Sequence, residues 1–364
     1  MCRSITARTE RMSISMAISD EANYKPNRYK ESPKKKEKKG FVKSFIPQKD
    51  DSKKEVISKV VVLACIVVLI ACGIILGSYF YEMYEAKKNN DTIKLIYQQS
   101  QSDTIENKND TLEKNEAGEI VRPPLVNLPA AEQFLEINKD TVGYLRIPEI
   151  IDEVVVQAKD NDYYLDHNFY DNQRQCGTIF ADYRATIGTY PDMMSDNIVF
   201  YGHNQKDGTM FGNMDKYKWD PSYWLRNPFI YFDTNYFQGT YVIVSTFVTN
   251  TEPEHDNGNV FDYQNFVNFE ESGAHSFDSF LKEITERSTI ITGVDIQKGD
   301  KFITLSTCSY EWEPSRHVII ARRLRDGETA DSFDMTVFQK NPNPKWPAIY
   351  YKYNGGSYVE TESE

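Results

Sequence analysis

The chain has 364 residues, of which 26% are charged and 13% aromatic, with five cysteines and a formal net charge of −12. Residues 1–59 hold 16 Lys/Arg against 8 Asp/Glu, whereas the remainder holds 26 against 46. That acidic remainder argues against nucleic acid as a partner, and so few cysteines cannot build a disulfide scaffold.

Residues 1–59 are polar and Lys-rich (Lys34-Lys35-Lys36, Lys38-Lys39) without sustained periodicity, and are expected to be a disordered cytoplasmic tail. Attraction to anionic lipid head groups is physically reasonable there but unspecific. Val60 to Phe80 is a run of 21 residues with no charge. As a helix it is roughly 31 Å long, enough for a hydrocarbon core of about 30 Å. Tyr79, Tyr81 and Tyr84 suit an interfacial anchor. The run is too long and too far from the N-terminus for a signal peptide, so a permanent span over 60–81 is expected. Lys49, Lys53, Lys54 and Lys59 precede it, and Glu82, Glu85 and Asp91 follow. The positive-inside rule puts the N-terminus in the cytoplasm and the large domain outside. Residues 82–127 are charged and polar, and read as an extracellular stalk.

Globular character runs from 128 to 325. A short helix is expected over Ala130–Ile137 and a strand over Val142–Ile147. Strand-like runs recur at Glu153–Gln157, Thr178–Phe180, Asn197–Tyr201, Phe229–Phe232, Tyr241–Phe247, Phe302–Cys308 and Arg316–Leu324. About eight short strands with abundant Tyr and Phe argue for an all-β barrel or sandwich. Between the Tyr241–Phe247 and Phe302–Cys308 runs, Phe261–Arg287 carries Phe266, Phe269, Phe277, Phe280, Leu281 and Ile284, a helical pattern inserted before the Cys308 strand. The extension 326–364, rich in Asn, Pro, Tyr and Gly, is expected to wrap the surface or stay partly disordered.

Cys65 and Cys72 fall in the span and Cys2 in the tail, leaving Cys176 and Cys308 outside. One disulfide between those two is arithmetically possible. No CxxC or His/Cys spacing suggests a metal, and no cofactor is expected. A lone exported thiol is costly to keep unless it has a task. Cys308 ends a strand, and Arg316 opens the next one beyond a turn. A nearby cation favours the thiolate, whose parent thiol titrates near about 8.5 when free. A thiol nucleophile also needs a proton-transfer partner. His203 qualifies, because it follows the strand Ile198–Tyr201 through Gly202, whereas alternation turns His317 away from the Arg316 face. The plainer readings, a core cysteine and a surface turn histidine, remain open on these residues alone.

Several stretches together resemble a class B sortase. They are Asn138–Leu145, Val155-Val156-Gln157, Gly177–Arg184, Tyr201-Gly202-His203-Asn204 with Gly208-Thr209-Met210-Phe211, and Thr304-Leu305-Ser306-Thr307-Cys308 followed by Arg316. The resemblance covers Leu128 to Leu324 with every motif in the family's order. It implies an eight-stranded sortase-type barrel with peripheral helices and a membrane-anchored cell-wall transpeptidase. Carried over, Cys308 is the nucleophile, His203 the general acid/base and Arg316 the oxyanion or substrate-backbone donor, with Tyr201, Ser306 and Thr307 lining the substrate site. The implied partners are surface proteins with an LPXTG- or NPQTN-like C-terminal sorting signal and an amine of a peptidoglycan precursor. Rival readings are a sortase that polymerises pilins through a pilin lysine, another cell-wall cysteine enzyme such as an L,D-transpeptidase, and a non-enzymatic adhesin on the same barrel. The Gly that an L,D-transpeptidase places before its cysteine is missing from Leu305-Ser306-Thr307-Cys308.

Overall fold

A computed structural model describes residues 45–101, 113–171, 177–219 and 221–356. Most of the expected cytoplasmic tail, up to residue 44, and Cys176 lie outside the described residues. The chain divides into two compact units at Ile75–Leu76.

The first long element, α1, runs over Lys53–Gln101. Among the described residues it is the one helix long and apolar enough to cross a membrane. It continues well past Phe80 because residues 82–101 contain neither Gly nor Pro, so nothing in them stops helix propagation. The stretch expected as a stalk therefore begins as helix. Within the second unit, Ile93 and Tyr97, one turn apart on the same face, are buried. They join Ala130, Phe134, Tyr144, Val154 and Phe180 in a small apolar cluster. The Tyr97 ring stacks on Tyr144 at 3.9 Å, and its hydroxyl donates to Asp233 Oδ2 at 2.7 Å.

Helix α2, Pro129–Ile137, leads into eight barrel strands: β1 Thr141–Ile147, β2 Ile151–Val156, β3 Phe180–Ala181, β4 Asn197–Tyr201, β5 Phe229–Thr234, β6 Thr240–Asn250, β7 Phe302–Ser309 and β8 Ser315–Arg323. They close in the order β7-β8-β6-β5-β1-β2-β3-β4, so no edge is left open. The β2–β3 and β4–β7 pairings are parallel and the others antiparallel. Leu145, Phe200, Phe232, Val242, Ile303, Leu305 and Ile319 fill the interior with no measurable exposure. Gly143 lets β1 approach β5, because a Cβ there would lie 2.3 Å from the Asp233 carbonyl oxygen.

The insertion between β6 and β7 is less helical than its periodicity suggests. Helix α3 covers only Phe277–Arg287, capped where Ser276 Oγ accepts from the Ser279 amide at 3.3 Å. Before it, Asn265, Asn268 and Gly273 favour turns. Phe266 and Phe269 instead pack directly on Phe280, 5.5 and 5.0 Å away between ring centres. The extension wraps the same side: Gln339–Lys340 pairs with Ile290–Ile291, and α4, Ala348–Asn354, follows. Residues 357–364 lie outside the described residues.

Candidate active site

Two parallel strands, β4 and β7, deliver their carboxyl ends to one barrel rim, with Tyr201 in register with Ser306. On β7 the second-to-last residue is Cys308, and β8 starts with Ser315-Arg316 after a short turn. Cys308 and Arg316 are direct partners across this antiparallel pair. Directly opposed residues share a face, with Cβ atoms about 4.5–5.5 Å apart. The thiol is free and exposed. Arg316 is half-buried, and its Nη1 donates to the Ser315 carbonyl at 3.0 Å. Among the described residues no carboxylate pairs with it, so the rest of its planar donor fork remains for a ligand.

His203 follows β4 through Gly202. A Cβ at Gly202 would sit 2.8 Å from the Phe211 ring, so glycine is what allows the turn to close over that buried aromatic. The residues around His203 are tied to the cysteine strand. The Gly202 amide donates to the Ser306 carbonyl at 3.3 Å, Thr307 Oγ1 donates to the Gly202 carbonyl at 2.7 Å, and Asn204 Nδ2 donates to the Cys308 carbonyl at 3.0 Å. His203 Nε2 lies 2.7 Å from the Leu165 carbonyl. A carbonyl only accepts, so Nε2 carries the hydrogen, leaving Nδ1 as the basic nitrogen.

Tyr201, Ser306 and Thr307 border this rim, but their hydroxyls have protein partners. Tyr201 donates to Asp182 Oδ2 at 2.8 Å, and Ser306 Oγ lies 2.7 Å from the buried Tyr263 hydroxyl. Together with the Thr307 bond these contacts make a braced floor. His317, one position beyond Arg316, faces the other way. It is fully buried, with Nε2 2.9 Å from Thr246 Oγ1, and burial, with a smaller push from the Lys218 charge, keeps it neutral far below the usual histidine range. His167 stacks on Tyr163 at 4.0 Å. His203 is flanked on both sides by residues, Gly202 and Asn204, that are hydrogen-bonded to the cysteine strand. Among the described residues no group of three or more His, Cys, Asp or Glu is arranged to hold a metal.

No family model matches the chain. It is 32% identical over 260 residues to Sortase B of Listeria monocytogenes, covering 69% of this chain and 92% of that relative. The chain belongs to the class B sortases. It is also 28% identical over 200 residues to Sortase B of Staphylococcus aureus, covering 54% of this chain and 75% of that one. Among solved structures, a Bacillus anthracis protein described as similar to sortase B matches with TM-score 0.51 and 27% identity, covering 66% of this chain and 96% of the other. A Staphylococcus aureus sortase B–substrate complex matches with TM-score 0.53 and 25% identity over 68% and 99%. The closed eight-stranded barrel is the sortase fold, and the chain is a sortase-type cysteine transpeptidase.

Sequence reasoning passed over three side chains of this rim. Asp182 is fully buried and accepts from Tyr201, from Asn161 Nδ2 at 3.0 Å, and from Arg184 Nε and Nη2 at 2.8 and 2.7 Å. Burial opposes its ionisation, but the bonds from Arg184, Tyr201 and Asn161 together hold the carboxyl below the usual range. Arg184 also donates to the Gln264 carbonyl at 2.7 Å, so one guanidinium joins the sortase rim to the β6–β7 insertion. Both residues stand in the quoted Gly177–Arg184 motif, where spacing alone assigned them no task. The third, Lys218, carries no sequence signal at all, since a lysine in a Tyr-Lys-Trp run reads as solvated surface.

Proposed function

We propose that the chain is a membrane-anchored sortase that cleaves a C-terminal sorting signal of the LPXTG or NPQTN kind and transfers the new acyl end to a peptidoglycan amine. Cys308 Sγ attacks the threonine carbonyl, and its proton passes to His203 Nδ1. The carbonyl electron pair moves onto oxygen, where the Arg316 fork receives it. Collapse expels the leaving amine, protonated by His203, and leaves a thioester on Cys308. The incoming amine attacks that thioester, gives its proton to His203, and the Cys308 thiolate departs. The thioester conserves the bond energy needed for the second half.

The observation that carries this reading is the direct pairing of a free, exposed Cys308 with Arg316 on one face of β7 and β8, beside the strand end bearing His203. A peptide substrate is in keeping with the description of the staphylococcal neighbour as a substrate complex. The surrounding layout follows from the same reading: a cytoplasmic tail over 1–59, a span over 60–81, an external catalytic domain over 128–325 and a C-terminal extension. Tyr201, Ser306 and Thr307 act in it as the floor beneath the bound signal.

The test is the full chain in nanodiscs, given LPXTG- and NPQTN-type peptides with triglycine or Nα-acetyl-lysine as the amine. A mass-detected peptide–triglycine product from wild type, absent with Cys308→Ala, is expected. Product formation by the alanine variant would overturn the assignment of the nucleophile. Exclusive use of the lysine acceptor would replace the cell-wall reading by pilin polymerisation.

A further inference from the structure

Lys218 is a buried cation beside the rim that the chemistry above does not use. Its side chain is 5% exposed, and its ammonium lies 2.8 Å from Asp215 Oδ1, 2.7 Å from Glu311 Oε1 and 2.8 Å from Ser309 Oγ. The ammonium donates to Ser309 and Glu311, and Asp215 pairs with it as a second counter-ion. Replacing such a buried ion cluster with apolar side chains of similar volume is often neutral or stabilising, so stability alone does not explain it. What the cluster joins is more informative.

Asp215 accepts from Asn204 Nδ2, 3.3 Å from both carboxylate oxygens, and the same amide nitrogen donates to the Cys308 carbonyl at 3.0 Å. Its two hydrogens suffice for the two partners. Asn204 follows His203 in the chain, and Ser309 follows Cys308. Glu311 lies in the turn between Cys308 and Arg316, where it accepts from Ser309 Oγ. Ser315, next to Arg316, donates from Oγ to the Ser309 carbonyl at 2.9 Å. The ammonium thus reaches the covalent neighbours of all three residues through one or two polar contacts. Burial holds Glu311 back from ionisation, but the hydrogen bonds from Lys218 and Ser309 and the Lys218 charge together keep the carboxyl below the ordinary range.

We propose that Lys218 is a positioning residue of the transpeptidase: through Asp215 and Asn204 on one side and Ser309 and Glu311 on the other, it locks the His203 loop against the Cys308 strand end. The inference rests on the catalytic assignment proposed above. Lys218 touches no reacting atom. Its effect is on the distance and angle between thiol and imidazole, for which displacements of about 1 Å can cost about 10²-fold in rate.

The experiment uses the full chain in nanodiscs and a fluorogenic NPQTN peptide, comparing wild type, Lys218→Met, Lys218→Arg, Asn204→Ala and the Lys218→Met/Asn204→Ala pair. Lys218→Met is expected to lower kcat by about 10²-fold with KM nearly unchanged. Lys218→Arg, which keeps the charge, recovers most of that loss. Because both positions belong to one linkage, the double variant is no worse than the poorer single. Wild-type kcat in Lys218→Met, a loss confined to KM, or losses that multiply in the double variant would each overturn the proposal. If Lys218→Met fails to fold, Asn204→Ala carries the kinetic test alone, and wild-type kcat there overturns it equally. A second readout needs no peptide: the rate of Cys308 alkylation by iodoacetamide, followed on the tryptic peptide containing Cys308. If wild type cleaves no peptide, the catalytic reading fails, whereas an altered alkylation rate in Lys218→Met still supports the lock and an unaltered one contradicts it.

Discussion

In the proposed mechanism Cys308 and Arg316 divide one task, and their pairing across β7 and β8 suggests how to separate the contributions. If Arg316 receives the oxyanion with a planar fork, Arg316→Lys keeps the charge but loses the fit. Single-turnover acylation by a motif peptide should then fall by about 10²–10³, while alkylation of Cys308 by a small reagent stays near normal. Equal losses in both assays would mean that Arg316 acts on the thiol. His203→Ala should be comparably damaging, and a variant within about tenfold of wild type would mark a structural histidine. Sequence reading singles out those three residues because each stands at a strand end within a recognisable motif. The partners around them escape it. Asp182, Arg184 and Lys218 act through contacts 19 to 93 residues away in the chain, at Tyr201, Gln264 and Glu311, and no local periodicity encodes such pairings.

The last turns of α1 show the same limit in a larger unit. Sequence reading ends the expected span near residue 81, whereas the helix continues to Gln101 and turns Ile93 and Tyr97 into the apolar cluster under α2. Charged residues on its open face concealed a short buried stripe. Truncating Tyr97 to Ala removes a stacked ring and a donor to buried Asp233, and should cost about 3 kcal/mol in urea unfolding of the detergent-solubilised chain. An unchanged midpoint would mean that the docking contributes nothing. The same helix meets Glu153 on β2: Asn90 Nδ2 donates to its Oε1 at 3.0 Å, and the Met210 amide does so at 3.3 Å. Burial pushes this carboxyl up to about 7, with the Met210 amide and Lys94 opposing and Asp152 and Asp207 reinforcing. Between its ordinary value of 4.5 and about 7, the folded chain therefore holds a proton that the unfolded chain has lost. This contribution to stability is complete at low pH and disappears as pH rises through about 7, at most about 3 kcal/mol in all. Glu153→Gln should narrow the difference in urea midpoint between pH 5 and pH 8, and an unaltered difference would contradict this.

Across the molecule, about eight short strand-like runs with frequent turn residues left a barrel or a sandwich open, and the closed eight-stranded barrel that the sortase resemblance implied is the one formed. Boundaries shifted by a few residues, and the inserted helix shrank to Phe277–Arg287 where aromatic packing displaced helical periodicity. What the barrel provides is convergence: parallel β4 and β7 end together, and antiparallel β8 returns beside them, so His203 shares a rim with Cys308 and Arg316, which lie far from it in sequence. The central claim is that acyl transfer passes through Cys308. It is tested most directly by mixing the full chain with a sorting-signal peptide without an amine acceptor, quenching in acid, and mapping the adduct by mass spectrometry. A peptide fragment ending at the threonine, attached to Cys308 and released by hydroxylamine, is the predicted result. Signal cleavage with Cys308 unmodified at every quench time, or an adduct on another residue, would contradict it.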